Sequence, residues 1–124
     1  MHDFQPIEVN ILSYEESLGS NIASHFDDFW LWGERILGLN LLSDTVMTYT
    51  RPNDPSLVIR VPIPRRALYL MSKSSRNEWQ HGIYAKDIHG KRFVVTVREL
   101  TPEFMDFEKQ PIGRQLVELA NVFL

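Results

Sequence analysis

Through most of this chain polar and apolar residues exchange every second position, in short runs cut by turn-forming residues, and only the C-terminus departs from that period. Residues 5–14 set Ile7, Val9 and Ile11 against Glu8 and Asn10, the pattern of a half-buried strand. Glu15 to Ser24, with Gly19, Asn21 and three serines, reads as a loop. Residues 34–42 oppose positions 34, 38 and 40 to Leu37, Leu39 and Leu41 and read as a strand. Ser43-Asp44 reads as a hairpin turn into Thr45–Thr50. A loop at 51–55 precedes Leu57–Ile63, whose Pro62 marks a strand end or sheet edge. Ala67–Met71 and Trp79–Tyr84 read as strands around a polar turn at 73–78. A turn at 87–91 leads into Arg92–Glu99, the clearest strand of all. Past Pro102, residues Ile112, Leu116, Leu119, Ala120 and Phe123 recur at helical spacing. Seven or eight short strands and one helix predict an all-β fold. The expectation is a single domain over 1–124, a double sheet or jelly roll (a double-stranded β-helix) with a C-terminal α-helix.

The central strand carries an anomaly. Period two places Arg92, Val94, Thr96 and Arg98 on one face and Phe93, Val95 and Val97 on the other. A guanidinium beneath a sheet is costly unless an anion meets it. Two arginines six positions apart suit the two ends of a dicarboxylate, which guanidinium groups grip by paired hydrogen bonds. The plainer alternative has both arginines at the strand ends, reaching water or pairing with a glutamate.

With no cysteine among 124 residues, disulfides, thiol catalysis and zinc knuckles are excluded, so a metal must be held by histidine and carboxylate. His25-Phe-Asp27 has the spacing that turns two side chains to one side of extended backbone. A distal histidine would complete the two-histidine, one-carboxylate triad that leaves open positions on non-haem iron. His2, His89 and His81 are the candidates. His2 is beside the terminus and His89 sits in a turn, whereas His81 heads a predicted strand and is preferred.

The order His25-x-Asp27, several strands, His81, then Arg92-x5-Arg98 resembles the AlkB family of Fe(II)- and 2-oxoglutarate-dependent dioxygenases. The stretches His25–Ser43, Ile63–Arg66, Trp79–Ile83 and Val94–Leu100 look like the fourth AlkB homologue of animals. The resemblance implies that His25, Asp27 and His81 bind Fe(II). It also implies that Arg92, with the Tyr14 hydroxyl, meets the distal carboxylate of 2-oxoglutarate, and that Arg98 faces the carboxylate beside the keto group. The implied reaction uses O2 and 2-oxoglutarate to demethylate methyl-lysine in a protein, actin being the family's suggested target, or N6-methyladenine in DNA. Asp28 could orient a ligand from behind.

Two positions that are polar in many members are Leu12 and Val94 here, and members carry a long N-terminal segment before the point where this chain begins. A barrel lacking the N-terminal part of the family domain is therefore expected. Rival readings are a non-catalytic interaction module and a small metal protein without 2-oxoglutarate. Phe29, Trp30 and Trp32 read first as core and second as a substrate entrance. Leu116, Leu119 and Phe123 read as a packing stripe. The net charge of −3, with Arg65-Arg66 the only basic cluster, leans toward a protein substrate over DNA. No apolar run is long enough to span a bilayer. The remaining expectations are a monomer, with no membrane partner, in the cytoplasm or nucleus.

Overall fold

The computed structural model describes residues 3–122. Eight strands form among them: β1 (Glu8–Glu15), β2 (Ile22–His25), β3 (Trp32–Leu41), β4 (Thr45–Arg51), β5 (Asp54–Ile63), β6 (Leu68–Met71), β7 (Gln80–Ile83) and β8 (Lys91–Leu100). Helical turns α1 (Ser74–Asn77) and α2 (Pro102–Met105), the helix α3 (Pro111–Asn121) and two 3-10 turns (Glu16–Leu18 and Ala85–Asp87) complete the set. The strands make two antiparallel four-stranded sheets, in the orders β1-β8-β3-β6 and β2-β7-β4-β5. This is the expected all-β jelly roll.

Successive strands mostly change sheets, and this overturns one expected hairpin. Ser43-Asp44 does not close a hairpin, because β3 and β4 lie in different sheets. The chain turns the corner at Leu42, whose φ of 73° is left-handed. The 87–91 turn likewise carries the chain from β7 across to β8. Among the described residues the one in-sheet hairpin is β4-β5, and it absorbs the loop expected at 51–55. Pro55 and Pro62 are tolerated within β5 because it is an edge strand. β2 was hidden in the stretch read as a loop at 15–24. It is short and half-buried, and its ladder with β7 shifts register between Ile22 and His25.

Periodicity located the strands, but the face each turns inward is not the apolar one everywhere. In β1, Val9 and Ile11 are exposed while Glu8, Leu12 and Tyr14 are not. In β3, Asn40 is fully buried and the leucines at 37, 39 and 41 take the outer side. Cross-strand registry then aligns Val9, Val97, Leu37 and Leu70 in one outer row, and Ile11, Val95, Leu39 and Leu68 in the next. The inner face of the same sheet receives the polar residues.

The C-terminal helix forms where its spacing placed it, but Leu119 and Ile112 are exposed rather than parts of a buried stripe. Its packing is confined largely to α2. Phe123 and His2 lie outside the described residues.

Candidate functional site

β2 and β7 run antiparallel with His25 directly opposite His81, which brings together two residues 56 positions apart. Gly82 permits the approach. A Cβ there would stand 2.8 Å from the Ile22 carbonyl oxygen, inside van der Waals contact. Asp27 follows two residues after His25. Its Oδ1 lies 3.2 Å from His25 Nε2 and 3.8 Å from His81 Nε2. One donor atom from each of the three falls within 4.8 Å of the others, a cluster of the size a single ion fills.

Neighbours orient His25 and Asp27. His25 Nδ1 donates to the Ala23 carbonyl at 2.8 Å, which leaves Nε2 as the ring nitrogen that faces Asp27 and His81. Asp27 Oδ2 accepts from Arg98 Nε at 2.8 Å, so Oδ1 is the oxygen left for a cation. Burial favours the neutral Asp27 carboxyl, yet the His25 hydrogen bond and the Arg98 guanidinium overcome it and hold the acid well below the usual range. Burial, with His25 alongside, pushes His81 down to about 4, so it is a neutral ligand at pH 7. The Asp27 hydrogen bond raises His25 against its burial. His89 is exposed in its turn and is not among the three clustered ligands.

The arginines occupy the inner face of β8, between β1 and β3, and line the same cavity as Tyr14 and the three metal-type ligands. Arg98 is half satisfied already: it pairs with Glu8 as well as Asp27, much as the plainer reading expected. Arg92 is different. It is 1% exposed, and its Nε donates to Asn40 Oδ1 at 2.6 Å. The Asn40 amide is itself pinned by donating to the carbonyls of Ser43, Ile63 and Pro64 at 2.9–3.1 Å. The Tyr14 ring packs 5.1 Å from the guanidinium carbon. Arg92 Nη1 is buried and finds no acceptor among the described residues. A buried cation with an unmet donor is costly, and a carboxylate entering the cavity would satisfy it. The donor sets thus fit both a divalent ion and an acidic cosubstrate.

Sequence reasoning missed four contributors. Asn40 was one polar residue among leucines, and Glu8 one of the presumed solvent side of β1. Tyr69 lines the cavity, with its phenol lying over Gly38, where a Cβ would be 2.1 Å from Tyr69 Cζ. Arg76 sat in a stretch read as a polar turn, yet it is buried. The aromatics after Asp27 are not core: Phe29 and Trp30 are 49% and 62% exposed beside the site. Trp32 is partly covered, with the Arg98 guanidinium 5.5 Å above its ring. Asp28 has an exposed side chain, and its carbonyl accepts from Arg76 Nη2 at 3.1 Å and from the Trp32 N–H at 3.3 Å.

No protein-family model matches the chain. Among curated proteins it is 37% identical to a DNA N6-methyl adenine demethylase of Caenorhabditis elegans, over 97% of this chain and 42% of that protein. It is 35% and 32% identical to the alpha-ketoglutarate-dependent dioxygenase alkB homolog 4 of Mus musculus and of Homo sapiens. Each of those matches covers 99% of this chain and 51% of the relative. The chain therefore spans about half the length of the curated relatives it matches. Identity at this level over nearly all of its residues settles the relationship: the chain belongs to the AlkB family.

Proposed function

We propose that this chain carries the Fe(II) and 2-oxoglutarate site of an oxidative N-demethylase. The observation that bears most weight is the conjunction of the His25, Asp27 and His81 cluster with a buried Arg92 whose Nη1 lacks an acceptor among the described residues. When bound, iron and 2-oxoglutarate supply, with O2, the oxidation that releases an N-methyl carbon as formaldehyde and leaves succinate and CO2. The residues of this chain do the rest. His25, Asp27 and His81 would hold the ion through one donor atom each. Arg92 holds the distal carboxylate, with Tyr14 and Asn40 fixing its orientation. Arg98 locks Asp27 and, sharing its guanidinium with Glu8, would meet the second carboxylate. The apolar flank of the cavity, including Ile22, Met47 and Ile83, keeps the site dry.

The substrate we propose is methyl-lysine in a protein, with N6-methyladenine in DNA as the second candidate. The net charge of −3 supports the first, and the name of the nematode relative supports the second. The test is an anaerobic titration of the purified chain with Fe(II) and then 2-oxoglutarate. A weak visible metal-to-ligand charge-transfer band is expected, and a folded sample without it would sink the reading. Formaldehyde release from methyl-lysine peptides against N6-methyladenine oligonucleotides then chooses the substrate.

Metal binding should depend on pH in a stated direction. Because His25 titrates above its ordinary 6.5 while His81 stays neutral down to about 4, the ion competes mainly with a proton on His25. Affinity for Mn(II) should fall as pH drops through the raised His25 value. Calorimetry in buffers of different ionisation enthalpy should find proton release on Mn(II) binding that grows as pH falls through that raised value and fades well above it.

A further inference from the structure

The segment between Asp27 and the start of β3 has no regular hydrogen-bond ladder, yet it must hold a buried carboxylate at a fixed place. One residue far along the chain organises it. Arg76, on the short turn α1, is 3% exposed. Its Nη1 donates to the Asp27 carbonyl at 3.0 Å, its Nη2 to those of Asp28 at 3.1 Å and Trp32 at 3.3 Å, and its Nε to Gly33 at 3.3 Å. The Phe29 ring covers the guanidinium, with its centroid 4.4 Å from the central carbon. Residues 27–33 are thus wrapped around a single cation.

No carboxylate side chain pairs with Arg76 among the described residues. A buried guanidinium without a carboxylate partner is expensive to maintain for packing alone, and its five donors in a rigid fork are the feature a lysine lacks. The turn bearing it is itself braced. Ser72 donates its N–H to Ser75 Oγ at 3.1 Å, Ser75 Oγ donates back to the Ser72 carbonyl at 2.8 Å, and Lys73 N–H donates to Glu34 Oε1 at 3.0 Å. The bracing therefore runs from β3 through α1 to the backbone of Asp27, while the Asp27 side chain is held separately by Arg98.

We infer that Arg76 is a positioning residue for the metal site: it sets the Asp27 backbone, and so the place of Oδ1 relative to His25 and His81, and it couples residues 72–78 to occupancy by the ion. This inference rests on reading the His25, Asp27 and His81 cluster as a metal site. It concerns neither the ligands nor the cosubstrate grip.

The test uses Co(II) as probe with the full chain. Wild type, Arg76→Gln, Arg76→Lys and Ile88→Val are compared for Co(II) affinity, Co(II) visible absorption and metal-free thermal stability. Ile88 is buried in the core and does not line the site cavity, so Ile88→Val reports what lost packing alone does. Both Arg76 variants should bind Co(II) roughly 10–100-fold more weakly, the effect of losing a partner that orients a ligand. Their absorption bands should also be altered, with lysine failing to rescue. Ile88→Val should keep wild-type affinity and spectrum. Equal affinity in wild type and both Arg76 variants, or full rescue by lysine, would overturn the inference. Failure of wild type to bind Co(II) at all would instead overturn the metal reading, and this inference with it. Should the Arg76 variants not fold, hydrogen exchange of wild type decides. Co(II) should protect amides in 72–78 together with those in 27–33, and unchanged exchange in 72–78 would refute the coupling.

Discussion

Replacing His81 by alanine should abolish the charge-transfer band of the Fe(II) and 2-oxoglutarate complex, while His89→Ala should leave it intact. His81 is the cross-strand partner of His25, and its loss removes one of three donors that fall within 4.8 Å of each other. Metal affinity should fall by more than the roughly 10–100-fold that follows loss of an outer partner. His89 is exposed on a turn and has no place in the cluster. Folding gives an independent check. His81 is pushed down to about 4 by burial, below its unfolded value of 6.5. A histidine depressed in the folded state is neutral in both states above pH 6.5 and costs stability as pH falls from there toward 4, where only the unfolded chain gains the proton. His81→Ala removes that cost. Metal-free wild type should therefore lose stability between pH 6.5 and 4 more steeply than His81→Ala, measured by urea denaturation across that range.

Except for the short β2, the strands were legible because a two-residue period survives any assignment of faces. The inner face was not. In β1 and β3 the residues that look built for water, Glu8 and Asn40, turn inward, because the inside of this sheet is the site and Arg98 and Arg92 need partners there. Apolar alternation reports that a strand has two different sides, and a polar interior reverses which side is which. Turns were misread for a related reason. Ser43-Asp44 has the composition of a hairpin, but local chemistry does not say whether the next strand joins the same sheet or the facing one. Of the site, the residues with a chemical signature were readable in advance: His25-x-Asp27, the distal His81 and the arginine pair on one strand. Arg76 was not, since four backbone carbonyls leave no mark in a sequence, and an arginine in a polar turn reads as surface.

Arg92→Ala should remove 2-oxoglutarate binding while Co(II) still binds, and this separates the two halves of the site. The guanidinium is 1% exposed, held through Nε by Asn40, and has a donor with no acceptor among the described residues. Truncating one partner of a buried charge pair costs about 2–5 kcal/mol, so the dissociation constant for 2-oxoglutarate should rise by roughly 30-fold or more. Alanine also strands Asn40 Oδ1, whose amide the Ser43, Ile63 and Pro64 carbonyls keep from turning away, and an unmet buried acceptor costs about 1–3 kcal/mol. Arg92→Lys separates these effects, because it keeps the charge but cannot serve Asn40 and a carboxylate with one planar fork. It should fold better than the alanine variant and still bind 2-oxoglutarate weakly. Calorimetric titration of 2-oxoglutarate into the Co(II)-loaded variants measures both predictions. Wild-type affinity in Arg92→Ala would remove the dicarboxylate from this cavity and leave a metal protein whose second substrate lies elsewhere.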